Sequence, residues 1–382
     1  MRMRRFCGYS TTVLLAVCVV LGGLAPAGGQ EGEYLPVTGP CGLQFPRDHG
    51  SHSGYRTEWW YYTGNLETPS GRSFGFQLTF FRRQISPPGF EKHWPEPPSA
   101  WRTQNIFLAH AALSDLERGK FYQEEKVARG AVGLSGVTRD SGETRVFVED
   151  WSAGIRESGH ILRAATGDFS LELALVPQKA PVLHGDAGYS RKGGGKERAS
   201  CYYSFTRLKA EGTLKLGEGT ILPVHGEAWM DHEFASSPLE PGIVGWDWFS
   251  LQFTNQTELM VYLLRKADGG FLPQSGGTFV TRSGEVVPIA WEDLRVRVVK
   301  EWKSPRSGAR YPAGWVLHIG SQDLEVVVTP TLEDQEMHTP LSTRVTYWEG
   351  SVGVAGTMAG APVKGKGYVE LTGYDRPLDA LH

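Results

Sequence analysis

The stretch "EWWYYTGNLETPSGRSFGFQLTFFRR", Glu58–Arg83, decides the fold class. Phe74, Phe76, Leu78 and Phe80 alternate with Gly75, Gln77 and Thr79, and a period of two belongs to a strand with one buried face. The aromatic run before it and the turn-forming residues between them complete a hairpin. A second stretch, "DWFSLQFTNQTELMVYLLRK" (Asp247–Lys266), has the same layout: a carboxylate, two aromatics, a strand, a turn, and an apolar strand ending in two basic residues. The spacing predicts one hairpin design used twice.

Outward from these hairpins the same signal recurs. Phe169, Leu171, Leu173 and Leu175 alternate with Ser170, Glu172 and Ala174. Further strands are expected over 60–66, 106–113, 145–151, 202–208, 248–253, 258–265, 294–299, 315–319, 324–329, 344–349 and 366–373. Helical periodicity is confined to a turn or two near Gln123–Arg129. Forty-eight glycines and twenty-three prolines scattered among short apolar runs suit an antiparallel meander, so the expected class is all-β, barrels or sandwiches.

The first 27 residues read as a signal peptide: Arg2, Arg4 and Arg5, an apolar run from Val13 to Leu24, then Ala25-Pro26-Ala27. The expected location is therefore secreted or periplasmic. About 355 residues remain, more than one ordinary core holds. Two domains are expected, 34–224 and 225–380, with the boundary near 222–228 after a glycine-rich turn. Loss of the three N-terminal arginines takes the net charge from −3 to −6, which argues against a nucleic-acid partner. Only Cys41 and Cys201 stay in the mature chain; an oxidising compartment permits one bridge between them, and two buried thiols are the alternative.

Two segments stand outside the meander. "SPPGFEKHWPEPPSAWRT" (Ser86–Thr103) is proline-rich, and its Trp94 and Trp101 suggest a lid over an apolar opening; "HGDAGYSRKGGGKERAS" (His184–Ser200) is glycine-rich and basic. Gly71-Arg72-Ser73-Phe74-Gly75 spells the G-x-S-x-G of a hydrolase nucleophile elbow, but that elbow joins a strand to a helix, and here it sits in a hairpin turn. His232-Glu233 opens a zinc-peptidase pattern that fails at Ser236. No metal and no cofactor are expected.

Carboxylates beside tryptophan carry more information. Glu58 precedes Trp59-Trp60, Asp231 follows Trp229-Met230, and Asp247 lies between Trp246 and Trp248. A carboxyl among indoles loses hydration, its neutral form gains, and it becomes a proton donor for an apolar substrate. The structural alternative is that alternation turns Asp247 away from its neighbours, or that Arg56, Arg82 or Arg265 pairs with it. Asp48, His49, His52, Arg56 and Glu58 are expected to hydrogen-bond one another as a polar plug closing one end of the first barrel.

"FPRDHGSHSGYRTEWWYYTGNL", "FGFQLTFFR", "RASCYYSFTRL", "EAWMDHEFASSPL" and "GWDWFSLQF" together resemble the bacterial lipocalin-like proteins named for a component of the AttEFGH ABC transport system, also labelled predicted secreted hydrolases. These are distantly related to carotenoid 1,2-hydratases (hydroxyneurosporene synthase-like proteins). The resemblance spans about Leu43 to Leu371. It implies two consecutive lipocalin-like antiparallel β-barrel domains, and an exported, monomeric protein. It also implies an apolar lipid or isoprenoid ligand and an inner-membrane ABC exporter as partner. From the hydratase branch it implies Asp247 as proton donor to an isoprenoid double bond, with Asp231 as a supporting acid. Trp60, Trp229, Trp246, Trp248 and Tyr203 are then the expected ligand-binding rings of a hollow interior.

Overall fold

The computed structural model describes residues 32–378 apart from Pro238, so the expected signal peptide at 1–27 lies outside the described residues. The alternation becomes two antiparallel sheets, curled into a barrel and a half-barrel. The first sheet holds β1 (Thr57–Glu67), β2 (Ser73–Gln84), β3 (Asn105–Asp115), β4 (Lys120–Arg129), β5 (Ser135–Asp140), β6 (Glu143–Val148) and β7 (Trp151–Arg156). It continues with β8 (Gly159–Ala165), β9 (Phe169–Pro177), β10 (Val182–Leu183), β11 (Tyr189–Arg191), β12 (Ala199–Leu216) and β13 (Ile221–Ala235). The second holds β14 (Ile243–Phe253), β15 (Glu258–Lys266), β16 (Gly276–Val280), β17 (Val286–Ala290) and β18 (Leu294–Lys303). Its remaining strands are β19 (Arg310–Ile319), β20 (Leu324–Pro330), β21 (Glu336–His338), β22 (Thr346–Met358) and β23 (Ala361–Leu371).

Strand order shows the repeat. The first sheet runs β4-β3-β2-β1-β13-β12-β9-β8-β7-β6-β5, the second β17-β16-β15-β14-β23-β22-β20-β19-β18. In each, a four-strand meander closes on the last strand of its own sheet, β1 on β13 and β14 on β23. The hairpins at Glu58–Arg83 and Asp247–Lys266 occupy equivalent places.

Several expectations change. Gln123–Arg129 is not helical: it lies in β4, whose pairing with β3 overrides the helix preference of Gln, Glu, Lys and Arg. The stretch 145–151 spans a turn between β6 and β7. The boundary at 222–228 falls inside β13, a full partner of β1 and β12; the changeover between sheets lies at 236–242. The glycine-rich turn before Ile221 is a hairpin turn within the first sheet.

The interiors are solid. Trp60, Tyr62, Phe74, Phe76, Leu78 and Phe80 in the first and Phe249, Leu251, Leu263, Trp315, Leu317 and Val326 in the second have no accessible surface, so no water-sized space touches them. This corrects the expected hollow barrels. A disulfide between Cys41 and Cys201, with Cα atoms 5.8 Å apart, ties the N-terminal segment to β12.

Candidate functional site

The two sheets meet through their outer faces. Alternation sends Trp60 and Tyr62 inward on β1 and leaves Trp59, Tyr61, Thr63 and Asn65 on the opposite face, where the second sheet covers them. Asn65 donates to the Gly367 carbonyl at 3.2 Å and accepts from Ser351 Oγ at 2.6 Å. Gln252 Nε2 reaches the Thr206 and Ala228 carbonyls at 2.8 and 2.9 Å. A Cβ on Gly75 would stand 2.7 Å from Ser351 Cβ, so the second glycine of the elbow-like pentapeptide serves close sheet approach, and Ser73 starts β2.

Within this layer Tyr61, Tyr202, Trp229, Trp248, Met260 and Tyr368 form one buried aromatic cluster, with Trp59, Trp246 and Tyr262 half-buried at its margin. Trp248 stands edge-on to Tyr61 and Trp229, with centroids 5.2 and 6.2 Å away, and its Nε1 donates to Tyr202 Oη at 3.1 Å. Carboxyls sit among these rings. Asp231 accepts from Trp229 Nε1 at 2.7 Å and from Ser204 Oγ, yet burial outweighs both bonds and pushes it up to about 7. Across the layer, burial likewise pushes Glu370 up to about 7, against a hydrogen bond from Trp246 and helped by the charges of Asp231 and Glu233. Glu370 still keeps partial exposure. Behind it, Glu349 is its cross-strand partner, accepts from Tyr61 Oη, and is raised well above the carboxylate range by burial and by Glu370. Two acids near neutrality, one from each sheet, lie in one packed aromatic seam.

Asp247 lies elsewhere. Trp246 and Trp248 share the face turned to the first sheet, so the residue between them points into the second sheet's interior beside Leu263 and Leu371. There Arg265 Nε donates to it at 2.9 Å and Tyr374 Oη at 3.0 Å. Burial raises it to about 6 despite Arg265. The assignment of Asp247 as the acid in an aromatic pocket is therefore corrected: it is an ion-paired interior group. Of the five expected ligand-binding rings, Trp229 and Trp248 belong to the packed cluster between the sheets and Trp246 lies at its margin. Trp60 and Tyr203 belong to the first barrel's packed interior.

The polar plug forms with one change of member. Glu58 Oε1 takes His52 Nδ1 at 2.7 Å and His232 Nε2 at 2.8 Å, and Oε2 takes Arg82 Nε at 2.8 Å. Burial opposes ionisation, but the two imidazole bonds and the Arg82 charge outweigh it and hold Glu58 well below the usual range. Tyr203 Oη links His232 Nδ1 to His49 Nδ1 at 3.0 and 2.7 Å, and Asp48 pairs with Arg47 at 2.7 Å and lies 3.5 Å from His52. Arg56 is exposed and lies over Tyr34, so Arg82 supplies the guanidinium assigned to Arg56. The donor atoms of His52, Glu58 and His232 lie within 4.8 Å of one another, but Arg82 already neutralises Glu58 and would repel a divalent ion there.

The lid is also reassigned. The proline-rich loop is held by Arg129, which donates to the Trp101 carbonyl, while Trp94 sits under Arg102. The glycine-rich loop reaches the seam between the sheets, where Lys192 Nζ lies over the Tyr202 and Tyr262 rings.

A double-sheet lipocalin-like protein with acids buried between its sheets is the class that fold and site define. The AttH-like family model matches residues 36–374, and the chain belongs to that family. An AttH protein from Nitrosomonas europaea is 34% identical, covering 89% of this chain and 99% of that one with a TM-score of 0.78. Kievitone hydratase from Nectria haematococca shares the fold at 16% identity, covering 90% of this chain and 98% of that one with a TM-score of 0.64. CghA does so at 13% identity, covering 83% and 88% with a TM-score of 0.51. No curated protein matches the chain.

Proposed function

We propose that the protein is a cofactor-independent hydratase-type catalyst that adds water to, or removes it from, a carbon–carbon double bond of an apolar unsaturated substrate, which enters a cleft opening between the sheets at the half-buried Trp59, Trp246 and Tyr262. The observation that carries this reading is the pair Asp231 and Glu370, both pushed up to about 7 by burial among indoles and phenols. Because they repel each other, one holds a proton while the other is ionised near neutral pH. Glu370, the partly exposed member, gives its proton to an alkene carbon; the cation that forms faces Trp59, Trp246 and Tyr262. Water adds to the neighbouring, cationic carbon of the former double bond, and its surplus proton goes to the Asp231 carboxylate. The proton then returns to Glu370, so acid and base are restored. The hydratase named among the structural neighbours supports this reaction class, and isoprenoid olefins fit the apolar walls.

The Cys41–Cys201 bridge and the composition of residues 1–27 support a secreted or periplasmic location. The family's name supports an inner-membrane ABC exporter as partner. The solid interiors weigh against carriage of lipid inside a barrel and favour the cleft as the place of contact.

The test is oxygen-18 water incorporation into a terminal isoprenoid olefin, read by mass spectrometry. E370Q and D231N should each lower turnover by roughly 10²–10⁴-fold, and D247N should change it little. Turnover that survives both E370Q and D231N, or that only D247N removes, would overturn the assignment.

A further inference from the structure

Lys192 puts a positive charge into the cleft. Its Nζ lies 4.7 Å from the Tyr262 ring centroid, 5.1 Å from that of Tyr202, and 3.1 Å from Glu233 Oε1. Tyr202 and Glu233 come from the first sheet and Tyr262 from the second, so the ammonium closes the seam between them. The half-buried Trp59 is the cross-strand partner of Glu233 on β1. Phenol faces and a carboxylate around a poorly hydrated ammonium are the chemistry by which proteins recognise organic cations. An ordinary surface ion pair needs only the carboxylate.

The tether of this cation is a short loop. After Lys192 come Gly193, Gly194 and Gly195, and the loop is fixed at its base and tip: Lys192 N bonds the Arg198 carbonyl at 2.7 Å, Arg198 N the Gly195 carbonyl at 3.1 Å, Gly194 N Glu240, and Arg191 Nη2 the Gly194 carbonyl at 3.2 Å. The four-carbon side chain of the half-buried Lys192 can rotate its ammonium out to solvent without moving the loop or either sheet.

We propose that Tyr202, Tyr262 and Glu233 form an organic-cation site, which Lys192 fills in the resting protein and vacates for an apolar molecule bearing a quaternary or protonated tertiary amine. The inference rests on the cleft being the substrate site, and deepens that reading. A carbocation beside Glu370 has the charge and the lack of hydration of such an amine, so the same rings and carboxylate would stabilise it.

The experiment follows tryptophan fluorescence during titration with dodecyltrimethylammonium below its micellar range, with an uncharged dodecyl ether as control. K192M, in which a thioether replaces a half-buried ammonium at the surface, should bind the ammonium probe roughly tenfold more tightly than the unsubstituted protein, with no change for the ether. Adding E233Q to K192M should remove the gain. Adding E370Q should leave it, which separates failure of this site from failure of the proposed hydratase chemistry. Equal affinity of K192M and the unsubstituted protein, or an equal gain for the uncharged ether, would overturn the inference.

Discussion

Asp231 and Asp247 have similar neighbours in sequence and opposite surroundings in the fold. Trp229 and Asp231 are two residues apart and share a face; Asp247 is one residue from each tryptophan and faces away from both. The parity was legible, but β1 and β13 are buried on both faces through most of their length, so no polar side marked which face was the seam. Glu370 left less trace, because a lone glutamate in an alternating strand reads as solvent-facing. Its pH behaviour now gives a test. A carboxyl raised from 4.5 to about 7 keeps its proton in the folded state where the unfolded chain has lost it, so its contribution is fully present below about 4.5 and is lost as pH rises through 7. E370Q, neutral at every pH, should therefore be more stable than the unsubstituted protein by about 1–3 kcal/mol at alkaline pH and nearly equal to it in mild acid. Urea midpoints at the two pH values measure this, and no alkaline gain would mean that Glu370 is well hydrated. Glu58 has the opposite sign: its depressed carboxyl adds stability above the ordinary carboxylate range that is lost as pH falls through its folded value. E58Q leaves Arg82 buried without a counter-charge and should cost about 3–5 kcal/mol, whereas R56A, at an exposed position, should stay within about 0.5 kcal/mol. Comparable losses in both variants would restore Arg56 to the plug.

Strands with strong alternation, such as β2 and β9, were legible because one residue in two is apolar and the turns carry glycine or proline. The elements that were missed had other determinants. β4 is made of helix-forming residues and is a strand only because β3 offers it an edge, and β13 continues a hairpin across what composition marked as a boundary. Among the described residues, the segment before β1 has no regular structure beyond a short 3-10 turn at Arg47–His49, yet it carries half of the plug and lies across the end of the first barrel. What holds it there is partly covalent. The Cys41–Cys201 bridge closes a chain separation of 160 residues, and a loop of that length loses much entropy from the unfolded ensemble. Replacing both cysteines by serine should lower stability by about 2–5 kcal/mol. The loss should be accompanied by faster proteolysis before β1 than within the second sheet. Unchanged stability would show that the ring contacts of Phe45 and His49 with Tyr203 suffice to dock the segment.

At the scale of the molecule, the seam that holds the candidate site is also what joins the halves. Arg207 of β12 gives Nε to Glu258 of β15 at 2.6 Å, Nη1 to Glu227 of β13, and Nη2 to the Phe253 carbonyl at 3.0 Å; Lys179 adds a second cation to Glu258 at 2.7 Å. Glu258 has no accessible surface, so parting the sheets exposes a charge network together with the aromatic cluster. His184 bonds Thr278 of β16 and Ser204 of β12, at 2.9 and 2.7 Å, and burial lowers it to about 3, so it spans the seam as a neutral imidazole. The proposed site between two sheets needs both walls in register, and a seam this polar fixes register more sharply than apolar packing does, since each donor has one acceptor to meet. The two sheets should accordingly unfold as one unit despite their separate cores. R207M, which keeps the aliphatic stem and removes the shared cation, should lower the stability of the whole chain by about 3–5 kcal/mol. Calorimetry should show a single transition whose measured and van 't Hoff enthalpies still agree. Two resolved transitions in the unsubstituted protein would mean that each sheet stands alone and that the cleft is a crevice between independent domains, free to open and unable to keep Asp231 and Glu370 dry.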